Sequence, residues 1–375
     1  MISPSSFQGT IMKKLIRLTT ADISLDGLLK GQLKYLNQYY EVVGVAADTG
    51  VLKNVAEREG IRVIDLPMHR EIALGSDIKS LVNLYKLFRN EKPYILHANT
   101  PKGSLLAMMA GMMARIPHRI YTVTGLRYQG ATGLFRFILK CMERITCLCA
   151  TNVIPEGNGV LHCLKKDNIT NKPLRIIHNG NINGVDTAFF SPELFPENDR
   201  SDSKFTFVFV GRIVKDKGIH ELVECMRQLD CKLILVGAFE DGDPVSDEAK
   251  QFLLNSPKVK FVGWQTDIRP FLAEADALVF PSYREGFPNV PMQAGSMGKA
   301  CIVTNINGCN EIIKDGLNGK IIEPRNATAL LNTMKWFMNH PEEVRRMAGN
   351  ARKMIQDRYE QKDVWQGLLN YYHAL

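Results

Sequence analysis

Several absences narrow the field before any motif is read. The eight cysteines, at positions 141, 147, 149, 163, 225, 231, 301 and 309, include no Cys-x-x-Cys pair and no regular spacing. Neither a zinc site nor a disulfide framework follows, and a reducing cytoplasm suits the chain. The longest apolar run, 105–114, is about half of the roughly 20 residues needed to span a bilayer. The N-terminus also lacks the charged-then-apolar pattern of a signal peptide, so neither a span nor export is expected. Residues 1–11 are polar and patternless, which leaves either a disordered tail or a start at Met12. No Gly-x-Gly-x-x-Gly follows a first strand, and no Gly-x-x-x-x-Gly-Lys-Ser/Thr is present. A dinucleotide oxidoreductase and a P-loop enzyme therefore lose ground.

What is present is an ordinary globular composition, 45% apolar and 23% charged, over 375 residues. At about 150 residues per domain that length suggests two domains. Charge is divided unevenly between the halves. Residues 1–190 carry 24 Lys and Arg against 14 Asp and Glu, whereas residues 191–375 carry 23 against 25. The first half thus suits an acidic partner, whether nucleic acid, anionic membrane or a phosphorylated substrate.

Short β-rich apolar runs alternate with amphipathic stretches throughout, the pattern of βαβ units and parallel sheets. The spacing predicts strands at 14–18, 41–46, 62–66, 94–97, 119–123, 151–154 and 175–177, then at 206–211, 232–237, 259–262, 277–280, 301–304 and 319–322. Between the two sets, the polar, charge-rich stretch 191–204 reads as a linker. Two Rossmann-like domains facing each other across a cleft are expected. In such sheets the chemistry lies in the loops that follow the strands.

One of those loops is the most informative segment of the chain. After the strand at 277–280 come Pro281, Ser282, Tyr283, Arg284, Glu285, Gly286, Phe287, Pro288, Asn289, Val290 and Pro291. Pro291 suits a first helical turn, so the amides around Asn289 and Val290 should point outward as an anion site. Glu285 precedes that turn and Gln293 lies within it. Gly211 and Arg212 end an earlier strand, and Lys217 with Gly218 opens the next helix, a clamp suited to a diphosphate.

In the first half, His97, Asn99 and Lys102 follow one strand, and Thr124 with Gly125 follows another. A threonine there positions rather than titrates, and His97 is either an acceptor-side group or a packed structural residue. Trp264 is either the wall of a base pocket or a core residue. Along 134–148, Arg136, Lys140 and Arg144 recur every four residues among apolar neighbours. This basic stripe fits an anionic lipid surface, or simply the solvated side of a half-buried helix.

From residue 206 to 324 the succession Gly211-Arg212, Lys217-Gly218, Gly263-Trp264, Pro281 to Pro288, Gly308 to Ile312 and Asp315 to Gly319 resembles the donor half of the family-4 retaining glycosyltransferases. His97 to Lys102, Tyr121 to Arg127 and Asn179 to Asp186 fit the same family, most closely the branch that builds capsular polysaccharide, O-antigen and lipid-linked glycans in bacteria. One departure is plain. The second Glu of the family's Glu, seven residues, Glu signature is Gln293 here.

The resemblance implies the α/β GT-B architecture: an acceptor domain at 12–190, the linker at 191–204, a nucleotide-sugar domain at 205–360 and a last helix, 361–375, crossing back to the first domain. It implies transfer of a hexose or N-acetylhexosamine, with retention, from a donor that is UDP-linked. No metal or other cofactor and no nucleic-acid partner is implied, and the enzyme would work peripherally on the inner face of the plasma membrane. Arg212, Lys217 and Glu285 would be catalytic; Gly211, Trp264, Gly286, Phe287, Pro288, Asn289, Val290 and Gln293 would bind donor. His97, Asn99, Lys102, Thr124 and Gly125 would face the acceptor. Gln293 and Thr124 keep one alternative open, a catalytically impaired sugar-nucleotide-binding subunit; a nucleotide-sugar 2-epimerase on the same architecture is a second, against which the donor motifs weigh.

Overall fold

The structure, a computed structural model, describes residues 12–69, 73–196 and 204–375. Residues 1–11, and with them the question of Met12 as start, lie outside it.

The contacts divide the chain into two units. One comprises the described residues up to Glu156, Val160–His178 and Trp365–Leu375; the other comprises Gly157–Gly159 and Asn179–Val364. The first holds strands β1 (Lys14–Ala21), β2 (Glu41–Ala47), β3 (Arg62–Asp65), β4 (Ile95–Ala98), β5 (His118–Val123) and β6 (Asn152–Pro155). They form one parallel sheet in the order β3-β2-β1-β4-β5-β6. The second holds β7 (Thr206–Val210), β8 (Lys232–Val236), β9 (Val259–Gly263), β10 (Ala277–Phe280), β11 (Ala300–Thr304) and β12 (Gly319–Ile322). Its order, β12-β11-β10-β7-β8-β9, is also parallel, and read from β9 it repeats the first sheet's order strand for strand.

Strand β7 shows why such runs fold this way. Side chains alternate across a strand, so Phe207 and Phe209 enter the core on one side of the sheet while Val208 and Val210 enter the core on the other. Helices cover both faces, and every residue of β7 is therefore buried. Fully burying each such side chain stabilises by about 1.5–3 kcal/mol. A strand apolar on both sides is the mark of a sheet that is parallel and covered.

Two expectations need correction. Residues 175–177 form no strand; only an isolated bridge joins Leu174 to Val153. Pro173 has no N–H to give a ladder, and residues 175–177 stay half-exposed or exposed, so little burial offsets their ordering. The stretch 191–204 is also no simple linker. The partition falls at His178/Asn179, because residues 179–196 are already bound into the second unit: Val185 pairs with Tyr359 and Gln361, and Arg352 donates to Ser191 Oγ at 2.9 Å. Residues 197–203 lie outside the described residues.

Candidate active site

In the second sheet the strand order reverses at the β7/β10 pair, the switch point where open α/β sheets leave a crevice beyond the strand ends. Two glycines let the loops there close on each other. Gly218, at φ +70°, ends the 3₁₀ turn Lys215–Lys217, and a Cβ on it would lie 2.2 Å from the carbonyl oxygen of Pro281. A Cβ on Gly308, at φ +73°, would lie 2.6 Å from the Gly286 carbonyl oxygen and from the Phe287 Cα. Only glycine fits either place.

This closure brings Lys217 and Glu285 together, 68 positions apart in sequence, as an ion pair from Lys217 Nζ to Glu285 Oε1. Their side chains are only 13% and 16% exposed, so the pair feels a lower dielectric than a surface pair. The Lys217 ammonium also lies 5.3 Å from the Phe280 ring centre, and Ser282 Oγ donates to Glu285 Oε1 at 2.8 Å. Asp216 braces the arrangement. Its carbonyl accepts the Tyr283 amide at 2.8 Å, and its carboxylate binds Arg284 at 2.6 Å.

Beyond Glu285 the helix Asn289–Ser296 begins at Pro288, and no side chain caps it. Asn181, itself left-handed at φ +62°, fixes the approach: its Nδ2 donates to Asn289 Oδ1 at 2.9 Å and to the Phe287 carbonyl at 3.2 Å. Gly286, Phe287 and Pro288 are buried beneath this turn. Gln293 is half-buried, and among the described residues its carboxamide has no hydrogen-bond partner.

Other expected donor residues stand apart. Arg212 lies at the rim, bound to Glu240 at 3.0 Å with both side chains about half exposed, a pairing of about 0–1 kcal/mol that leaves it free to reorient. Gly211, at φ +152°, simply ends the strand. Trp264 is 70% exposed, which excludes the core reading. Asp241-Gly242-Asp243 is an Asp-x-Asp triplet that the metal-free reading passed over. Asp243 Oδ2 accepts the Asp216 amide at 2.8 Å, and among the described residues no group of three or more His, Cys, Asp or Glu could hold a metal ion.

In the first unit the acceptor-side expectation fails for His97. It is fully buried, Nε2 meets Thr122 Oγ1 at 2.7 Å, and Nδ1 meets both Tyr372 OH and Arg17. Burial, and secondarily the Arg17 charge, drive its pKa well below the usual histidine range. It is a neutral, packed residue. Asn99 is also wholly buried, and Lys102 is buried against Asp77 at 2.6 Å. Thr124 spends its hydroxyl on the Asn99 carbonyl at 2.7 Å, beside Gly125 at φ +146°. In the helix Gly133–Cys149 Arg136 and Arg144 of the basic stripe are exposed and Lys140 is half-buried. Lys140 is tied to Asp167 at 2.7 Å, and Arg144 to the carbonyls of Asp167 and Asn168.

Sequence reasoning missed Ser282, Asp216 and Asn181. Asp216 and Asn181 act through contacts distant in the chain and Ser282 through a bond to Glu285 three residues along, though the glycines around them are visible as turn signals.

Two parallel Rossmann-like sheets, with a cation, a carboxylate and an uncapped helix end at the switch point of the second, are the arrangement expected of a glycosyltransferase. The comparisons agree: residues 190–354 match the family described as Glycosyl transferases group 1, and residues 27–155 match Glycosyl transferase 4-like. The chain belongs to the family-4 glycosyltransferases and has the GT-B fold. It is 31% identical to the capsular polysaccharide biosynthesis glycosyltransferase CapM of Staphylococcus aureus, over 96% of this chain and 97% of that one. It is 27% identical, over 80% of each chain, to the Escherichia coli UDP-Gal:alpha-D-GlcNAc-diphosphoundecaprenol alpha-1,3-galactosyltransferase. Among solved structures, Anabaena Alr3699/HepE in complex with UDP superposes at a TM-score of 0.79, with 20% identity over 97% of this chain and all of that one.

Proposed function

We propose that this glycosyltransferase moves a hexose or N-acetylhexosamine from a UDP-linked donor to a lipid-linked or polysaccharide acceptor, with retention, at an anionic membrane surface during bacterial surface-glycan synthesis. The observation that carries the reading is the Lys217–Glu285 pair beside the uncapped helix Asn289–Ser296. Lys217 meets the charge that grows on the departing diphosphate, together with the Asn289 and Val290 amides and an Arg212 released from Glu240. When the diphosphate takes the lysine, Glu285 is freed to accept hydroxyls of the donor sugar, with Ser282 still holding one of its oxygens.

Gln293, eight positions after Glu285 and one turn into the helix, meets the ribose. An amide there both donates and accepts, where a carboxylate would accept twice. With His97 sealed away and Thr124 spent on a carbonyl, the donor's own phosphate takes the acceptor proton. The carbohydrate relatives favour the lipid-linked acceptor, since one acts on a diphosphoundecaprenol substrate by its name.

The test is a panel of nucleotide-sugars incubated with the protein and an undecaprenyl-diphosphate-linked acceptor, read by mass spectrometry, with the anomeric configuration of the product read by NMR. Product of inverted configuration, or no product from any UDP-sugar, would sink the reading.

A further inference from the structure

The helix Gly133–Cys149 is inside out. Its buried residues are Leu139, Glu143, Thr146, Cys147 and Cys149. Opposite them, Leu134, Phe137, Ile138, Ile145 and Leu148 stand in solvent, at spacings of three, four and seven that place them on one stripe. Leu134 is 75% exposed, Phe137 59% and Leu148 72%. An ordinary surface helix turns such a stripe to the core. A patch of this kind marks a surface that is covered in use.

Charge identifies the cover. Residues 101–150 contain seven Lys and Arg and a single acid, Glu143, and Glu143 is buried. The helix therefore shows solvent an apolar stripe edged by cations and no anion. A second copy of the chain packed on the stripe would set Arg136 and Arg144 against their own equivalents. An anionic bilayer surface instead satisfies both halves of the pattern, lipid tails for the stripe and headgroups for the cations.

We infer that this helix lies in the membrane interface with its Leu134 to Leu148 stripe inserted among the lipids, and that insertion, not charge, holds the protein there. The inference rests on the membrane-surface part of the proposed function and supplies its means. It also reverses the weight given to Arg136, Lys140 and Arg144, two of which are engaged with Asp167 and Asn168. Salt should therefore loosen the attachment without abolishing it.

Flotation of the full chain with vesicles of phosphatidylcholine and phosphatidylglycerol tests this. Wild type should bind at physiological salt and stay largely bound near 1 M, where screening confines surface charge to about 3 Å. The triple variant Leu134→Ser, Phe137→Ser, Leu148→Ser should bind about tenfold more weakly or worse, while Arg136→Gln loses only a few-fold. Circular dichroism and hydrolysis of a UDP-sugar without acceptor should be unchanged in the triple variant, which separates loss of membrane binding from failure of the catalytic reading. A triple variant that binds like wild type overturns the inference, as does wild-type binding lost entirely at high salt. A wild-type dimer that the triple variant converts to monomer assigns the stripe to a second copy and overturns it equally.

Discussion

The two sheets share one strand order, yet their strand-end loops are built for different work. Beyond β7 and β10 the second unit holds a cation and a carboxylate against each other in a partly open crevice, beside a helix end that no side chain caps. Beyond β4 and β5 the first unit shows sealed polarity: His97, Asn99 and Lys102 are buried, and Thr124 is bound to backbone. The first unit's charge lies outward instead, around an apolar stripe. The same architecture therefore gathers charged groups at the strand ends of one copy and carries an exposed apolar stripe on a helix of the other, and what joins the strands rather than the strands themselves makes the difference.

The largest effect should come from breaking the second unit's pair. Lys217→Ala should reduce turnover about 100-fold, the scale for losing one charge-stabilising donor, and Glu285→Gln should depress kcat more than it raises KM, the pattern that the proposed contact with the donor sugar predicts. Unchanged steady-state kinetics in both variants would remove the crevice as the active site. Arg212→Ala, at the rim, should lose less than Lys217→Ala. An equal loss would mean that the arginine leaves Glu240 fully in the reacting complex.

The interior of the first unit makes the next effect, and it is read by pH. Burial in the helix Gly133–Cys149 raises the Glu143 carboxyl from 4.5 to about 7, against the opposing hydrogen bond from Tyr121. The folded state thus holds a proton that the unfolded chain releases, so this group's contribution to stability falls as pH rises from about 4.5 to 7 and is then flat. Glu143→Gln removes the dependence. The stability gap between variant and wild type, measured by denaturant unfolding, should shift in the variant's favour across that window by about 3 kcal/mol, at 1.36 kcal/mol per pKa unit. A gap constant with pH would show that the carboxyl is ionised in the fold.

Smaller still, Tyr372→Phe removes the hydroxyl that accepts from Arg17 at 3.0 Å and meets His97, at a cost of about 1–3 kcal/mol for leaving a buried donor unsatisfied. Thermal unfolding reads it, and an unchanged melting temperature would mean water replaces the hydroxyl. Smallest is Gln293→Glu, which should lower donor KM several-fold with kcat nearly constant, about 1 kcal/mol of regained hydrogen bonding. Inactivation would instead place a phosphate or the acceptor against that amide.

Much of this comparison was legible in the chain, for a physical reason. Strands buried on both faces read as unbroken apolar runs, so β7, β10 and β11 stand out in one dimension. Residues 175–177 carry the same signal without the burial, and no periodicity distinguishes the two cases. Pro173 was the available warning. The loop chemistry around Glu285 and Lys217 is visible because glycine and proline punctuate it, whereas their pairing runs through parallel crossovers that only the folded sheet closes. The helix at 134–148 is ambiguous for a different reason: an amphipathic pattern shows that two faces differ but does not say which one meets the core.

Gly218 carries a consequence for how finely the crevice is held. Lys217 and Glu285 hang from β7 and β10, neighbours in the sheet, and the loops above those strands rest backbone on backbone where Gly218 meets Pro281. No rotamer intervenes in that seating. The separation of the two loop backbones is therefore gauged by the spacing of strands, about 4.8 Å and among the stiffest lengths in a protein, and rises and falls with the sheet itself. The separation of the two loops becomes a property of the fold's lattice, which leaves the side chains around them free to diverge without disturbing it.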